Sequence, residues 1–113
     1  MAFNVEAIPQ TKADTDALLG KLAAANPITA ADSQTVSDAI VAVNAVLTRL
    51  NQEVWTASTV SMQAAAADMK VPLKKLSDLK SQLAAAAGRV KTLAGIAGDV
   101  ESVIGGCKSV FGI

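Results

Sequence analysis

A chain of 113 residues has room for one modest core, and with 51% apolar but only 3% aromatic residues that core comes from Ala, Val, Leu and Ile. The absence of His and Tyr removes the usual general base and most metal-site designs. A formal net charge of zero argues against a general nucleic-acid binder.

The charge is unevenly spread, about −3 over residues 1–60 and +3 over residues 61–113. Antiparallel arms of opposite sign attract, so the plain reading is complementarity within the fold. The lone Cys107 excludes an internal disulfide framework. Met1 to Glu6 has neither the basic region nor the apolar run of a signal peptide. No stretch of ~20 apolar residues is present to span a membrane. The expectation is a soluble protein, cytoplasmic or secreted by a route that the residues do not spell out.

In chain order, residues 1–10 form a short leader, with Phe3, Val5 and Ile8 folding onto the bundle. Pro9 suits a first helical turn, where its missing donor would be unpaired anyway. The first helix is predicted over Thr11–Ala25, with Asp14 and Asp16 near its positive end and Leu18, Leu19 and Leu22 on its apolar face. Asn26-Pro27 ends it. Thr29-Ala30-Ala31-Asp32 is a capping box with Asp in the acidic position: the Thr29 hydroxyl accepts from the Asp32 N–H while the carboxylate reaches back.

The second helix carries the clearest pattern in the chain. Val36, Ile40, Val43, Leu47, Leu50, Val54 and Ala57 alternate steps of four and three, the seam of a packed helix. The cluster Thr56, Ser58, Thr59, Val60 and Ser61 then weakens the helix, and the apolar phase slips to Met62, Ala66, Met69, Leu73 and Leu76. This reads as a stutter inside one helix over residues 30–69. Val71-Pro72 reads as the reversal, although the stripe from Met62 to Leu76 crosses it in phase and a kinked continuous helix is the alternative. The arms 30–69 and 73–110 would then measure ~60 Å and ~57 Å at 1.5 Å per residue, a matched hairpin. The second arm has its own seam: Leu76, Leu79, Leu83, Ala86, Val90, Leu93, Ala97, Val100, Ile104 and Cys107.

Folding that hairpin about residues 70–72 sets Trp55 beside Ala86 and Ala87, and Val43 beside Val100. The first helix lies beside the open end, near Val36–Leu47 and Leu93–Ile104. The closed end, Met62–Leu83, then lacks a third helix, which implies self-association or a partner. A break in the last arm at Gly95 to Asp99, with Asp99 capping a separate final helix, is the alternative that would make a four-helix bundle, and Gly105-Gly106 is a second weak point. The fold expected is therefore all-α, an antiparallel bundle of three helices built on a long hairpin, with a four-helix bundle as the alternative.

Little in the chain points to catalysis. Asp14/Asp16 and Asp99/Glu101 stand two apart and do not face each other on a helix. Cys107 on the seam reads as a small core residue. Gly95-x-x-Gly98 does not match a phosphate-binding loop. No catalytic residue, metal ligand, cofactor or small-molecule substrate is implied. The group Lys70, Lys74, Lys75, Lys80, Arg89 and Lys91 is offset only by Asp78, and its first three members flank the predicted turn as a positive tip. Its plain reading is a solvated end; its functional reading is a contact for an acidic partner or an anionic lipid surface. Stacking aromatics for nucleic acid are absent. Residues Val90 to Ile113, apolar and sparsely charged, suit an amphipathic segment on lipid as well as a core helix.

The expected role is a non-enzymatic interaction or assembly module, self-associating or docking a helical partner. The alternative is a lipid-surface binder. Met62, Met69, Lys70, Lys74, Lys75, Lys80, Arg89 and Lys91 are the expected contacts.

Overall fold

Pro9 opens the first helix, α1 (Ile8–Ala23), in the turn where a missing N–H has no intrahelical acceptor to lose. A computed structural model gives the architecture; it describes residues 3–27, 29–51 and 60–113, and of Ser61 the backbone alone. A 3-10 turn at Val5–Ala7 precedes α1, and Asn4 is tied to the far end of the chain by its N–H on the Val110 carbonyl, 2.9 Å away. Phe3, Val5 and Ile8 pack against the core, as the leader's apolar residues led one to expect.

α2 (Ala30–Leu50) starts where the capping box places it: Thr29 is extended and its Oγ1 accepts from the Asp32 N–H at 3.1 Å. Its buried face is Val36, Ala39, Ala42, Val43, Val46 and Leu50, while Ile40 and Leu47 are only half-buried. The expected seam is thus turned partly sideways. Ala39 and Ala42 at the centre let neighbouring helices come close, which the count of large apolar residues alone does not reveal.

The third helix corrects the hairpin. α3 (Val60–Ala87) runs unbroken through Pro72, and α2 ends at Leu50 with Asn51 as its cap, so residues 30–69 are not one helix and the chain does not reverse at Val71-Pro72. The magnitudes explain it. An interior proline costs about 3 kcal/mol. Leu73, Leu76, Leu79 and Leu83, each 5% exposed or less, contribute ~1.5–3 kcal/mol apiece by staying on one continuous buried face. Val54, Trp55, Ala57 and the pairing proposed for Trp55 lie outside the described residues.

A 3-10 turn at Lys91–Leu93 and Gly95, held at φ 76°, then lead into α4 (Ile96–Phe111). The break falls where the glycines suggested, but Asp99 lies within the first turn of α4 instead of capping it. Among the described residues the globule therefore holds four helices, not three: α1 packs on α2 and α4, and α3 packs on α2 and α4, leaving α2 and α4 on opposite corners. Val43 and Val100 consequently belong to opposite corners instead of facing each other. Ion pairs fix the antiparallel runs: Arg49–Asp68 and Arg89–Asp32 across α2/α3, Lys80–Glu101 across α3/α4, and Lys21–Asp99 across α4/α1.

With 28 residues α3 is about 42 Å long, close to the 45 Å long axis of the molecule. The Arg49–Asp68 pair sets the end of α2 level with Asp68, so the first two turns of α3 extend past Leu50. Met62, Ala65 and Ala66 in those turns are nevertheless buried, which corrects the expectation of an uncovered stripe at Met62–Leu83.

Candidate functional site

The expected contact residues separate into three groups. Met62 and Met69 are fully buried and belong to the core, so they offer no surface to a partner. Lys80 and Arg89 are engaged within the bundle: Lys80 Nζ donates to Glu101 Oε1 at 2.6 Å, and Arg89 Nε and Nη2 donate to the two carboxylate oxygens of Asp32, each at 2.7 Å. Lys91 sits in the turn before α4, at the opposite end of the bundle from Lys70. Only Lys70, Lys74 and Lys75 remain together, and they stand midway along α3, not at a hairpin tip.

Arg89 holds the architecture together at that opposite end. It follows Gly88, where α3 stops, and its N–H bonds back to the Ala86 carbonyl at 2.9 Å. Its fork clamps Asp32 in the first turn of α2. The carboxylate that was expected to complete a capping box is thus taken by a guanidinium from the turn that follows α3. Those hydrogen bonds hold the Asp32 carboxyl below its ordinary 3.8, against the opposing effect of its burial, and raise the Arg89 guanidinium in turn. Lys80 likewise lowers Glu101.

The other titratable candidates are also accounted for singly. Asp14 accepts from Gln10 Nε2 at 2.9 Å, and Asp99 accepts from Lys21, which also reaches the Ala94 carbonyl at 2.8 Å. Cys107 is fully buried, and loss of solvation pushes its thiol up to about 12. It is a core residue, as its place on the seam indicated. Among the described residues no three His, Cys, Asp or Glu side chains gather where they could hold a metal ion.

What remains open is the junction of α3 and α4. Lys70, Leu73, Lys74 and Ser77 stand at i, i+3, i+4 and i+7, hence on one face of α3. Ile104 and Lys108, four apart, share a face of α4. Gly112 adopts φ 65°, a left-handed conformation that closes α4 by bonding the Ile113 N–H to the Lys108 carbonyl at 3.1 Å. That turn brings Ile113 to the same place. Between these residues lies a groove of about 360 Å³, its floor apolar (Leu73, Ile104, Ile113) and its rims basic on both helices (Lys70 and Lys74 on α3, Lys108 on α4). A second, shallower hollow of about 350 Å³ lies on the far side of the Lys70–Lys74 ridge, lined by Val71, Lys75 and Asp78 as well. Val71 there is 76% exposed.

Electrostatically the rims are undercompensated. Among the described residues no carboxylate lies within salt-bridge distance of Lys70, Lys75 or Lys108. Lys74 meets Asp78 at 3.2 Å, but both side chains are more than half exposed, and an exposed i,i+4 pair contributes little. Ile104, Lys108 and Ile113 were not singled out from the sequence as contacts. The spacing of Ile104 and Lys108 was readable, but the position of all three opposite Lys70–Ser77 depends on where the chain turns, which the hairpin reading misplaced.

Comparison of the chain with protein-family models, with curated proteins and with solved structures finds no match. No helix among the described residues is long and apolar enough to cross a membrane.

Proposed function

We propose that this protein is a non-enzymatic interaction module that docks a protein partner on the α3/α4 groove. The observation that carries this reading is the groove itself: an apolar floor framed by lysines on two helices, while Lys21, Arg49, Lys80 and Arg89 are engaged in ion pairs between helices. Recessed apolar surface with a charged rim is the composition of a recognition site, and its volume suits the side chains of a partner. The reason the sequence offered for self-association, a bare stripe at Met62–Leu83, has gone, because that stripe is covered. A partner on the groove replaces it.

The alternative, a lipid surface, draws on the same lysines and on exposed Val71. It is the weaker reading because the lysines stand on both sides of the apolar floor and frame a trough, not a flat apolar face. A photocrosslinking amino acid at Ser77, inside the groove, tests the proposal against the same group at Ser37 on the exposed side of α2. Capture of one protein from Ser77 and not from Ser37, abolished by Ile104→Glu, is the expected result. Equal capture at both positions, or co-sedimentation with phosphatidylglycerol vesicles in place of protein capture, contradicts it.

A further inference from the structure

We infer that the occupant of the α3/α4 groove is an acidic amphipathic helix, one with bulky apolar residues at helical spacing flanked by Asp or Glu. This rests on the docking role proposed above and adds the chemistry of the partner.

Three observations carry it. The walls are two antiparallel helices, so the trough between them runs along their axes, and a third helix fills such a trough by setting its side-chain ridge into it. The floor deepens toward Leu73, 5% exposed, with Ile104 and Ile113 half-buried beside it, so it receives a projecting Leu or Ile. The ammonium groups flank the trough on both sides, Lys70 and Lys74 on one and Lys108 on the other. A partner that buries its apolar stripe there must therefore carry acids along both edges of that stripe. Lysine stems can lie over the incoming helix while their charges stay hydrated, which makes the desolvation of such rim pairs small. A basic helix with the same stripe would bring like charges together on both rims.

The test is a titration of the isotope-labelled protein, followed by the amide shifts of Leu73, Ser77, Ile104 and Lys108, with four probes. These are an 18-residue peptide with Leu at i, i+3, i+4 and i+7 and Glu on both flanks; its twin with Lys for Glu; a Glu peptide of the same composition with the Leu residues scattered; and phosphatidylglycerol vesicles. The first peptide is expected to shift the groove residues and to weaken roughly tenfold or more when Lys70, Lys74 and Lys108 are all changed to Glu. Those rim positions are exposed, so the triple variant keeps its fold, and the unchanged dispersion of its spectrum checks that. The Lys twin is expected to bind the triple variant better than the native chain.

Equal binding of the Glu and Lys peptides would overturn the acidic partner while leaving a docking groove. Shifts from the scattered peptide as large as from the first would overturn the helix. Groove shifts from vesicles alone, or from raising the protein's own concentration without peptide, would overturn the docking of an acidic helix in favour of lipid or a second copy. No groove shift with any probe would overturn both readings.

Discussion

Against α1, helix α4 closes until Gly106 has no room for a side chain: a Cβ there would stand 2.6 Å from Thr11 Oγ1 and 3.0 Å from its Cγ2. Against α3 the same helix packs as extensively, yet at its C-terminal end, beside Ile104 and Lys108, a groove of about 360 Å³ stays open. The α1 side uses a missing side chain and a buried threonine, and one turn on the buried Thr15 spends its hydroxyl within the helix, its Oγ1 donating to the Thr11 carbonyl at 2.7 Å. The groove on the α3 side is lined by long side chains with charged ends, Lys70, Lys74 and Lys108. Contact made by small residues leaves nothing to bind with, whereas contact made by long ones leaves a lined space. The first is scaffold and the second is the proposed site.

Breaking the closed side should cost most. Leu18, fully buried on α1, is expected to lose ~2–5 kcal/mol of unfolding free energy on change to Ala, read by denaturant titration. A loss below 1 kcal/mol would mean that α1 is not packed as described. Next comes the clamp of Arg89 on Asp32. Because the folded carboxyl titrates below its ordinary value, its contribution is fully present above the unfolded value near 3.8 and is lost as the pH falls through the folded one. Arg89→Met should therefore lower stability at neutral pH and flatten the decline below about pH 4, measured as melting temperature against pH. The effect should stay below that of Leu18→Ala, since the carboxylate keeps its favourable place in the first turn of α2.

The two adjacent glycines of α4 sharpen the contrast further. Gly106→Ala gains up to about 1 kcal/mol of helix propensity, but overpacking against Thr11 costs ~1–3 kcal/mol, so the net effect is destabilising. Thr11→Ala in the same chain should recover much of it. Gly105→Ala meets nothing within 4 Å and should stabilise by about 0.5–1 kcal/mol. Like signs for the two substitutions would dissolve the distinction. On the open side, Lys108→Glu is expected to leave stability within about 0.5 kcal/mol while reversing the charge of one rim.

The helix cap at Thr29, the first-turn Pro9, the buried leucines of α1 and α3 and the core place of Cys107 were all legible, because each rests on local chemistry or on period. The reversal was not. Pro72 and a change of phase near residue 60 both signalled a break, and the matched lengths of the two arms favoured the proline. The outcome turned on burial summed over Leu73–Leu83, a tertiary quantity. That single misplacement also hid the site. With the chain reversed at Pro72, Lys70 and Lys74 form a tip and Ile104 and Lys108 lie far away. With α3 continuous and α4 returning along it, those residues share one groove. Arg89 shows the converse: counted among surface cations by its sequence, it is spent on a carboxylate brought from another helix.

Thiol accessibility measures the central claim most directly, since the native chain carries its own reference. In Ser77→Cys, one thiol lies in the groove and the other, Cys107, lies in the core on the same α4 that walls it. Under native conditions at neutral pH the groove thiol should react with an aromatic disulfide reagent as readily as an exposed one. Cys107, with its pKa at about 12, should react only after unfolding. A groove thiol as slow as Cys107, or a Cys107 as fast as the groove thiol, would contradict a closed core beneath a groove open at the end of the α3/α4 junction.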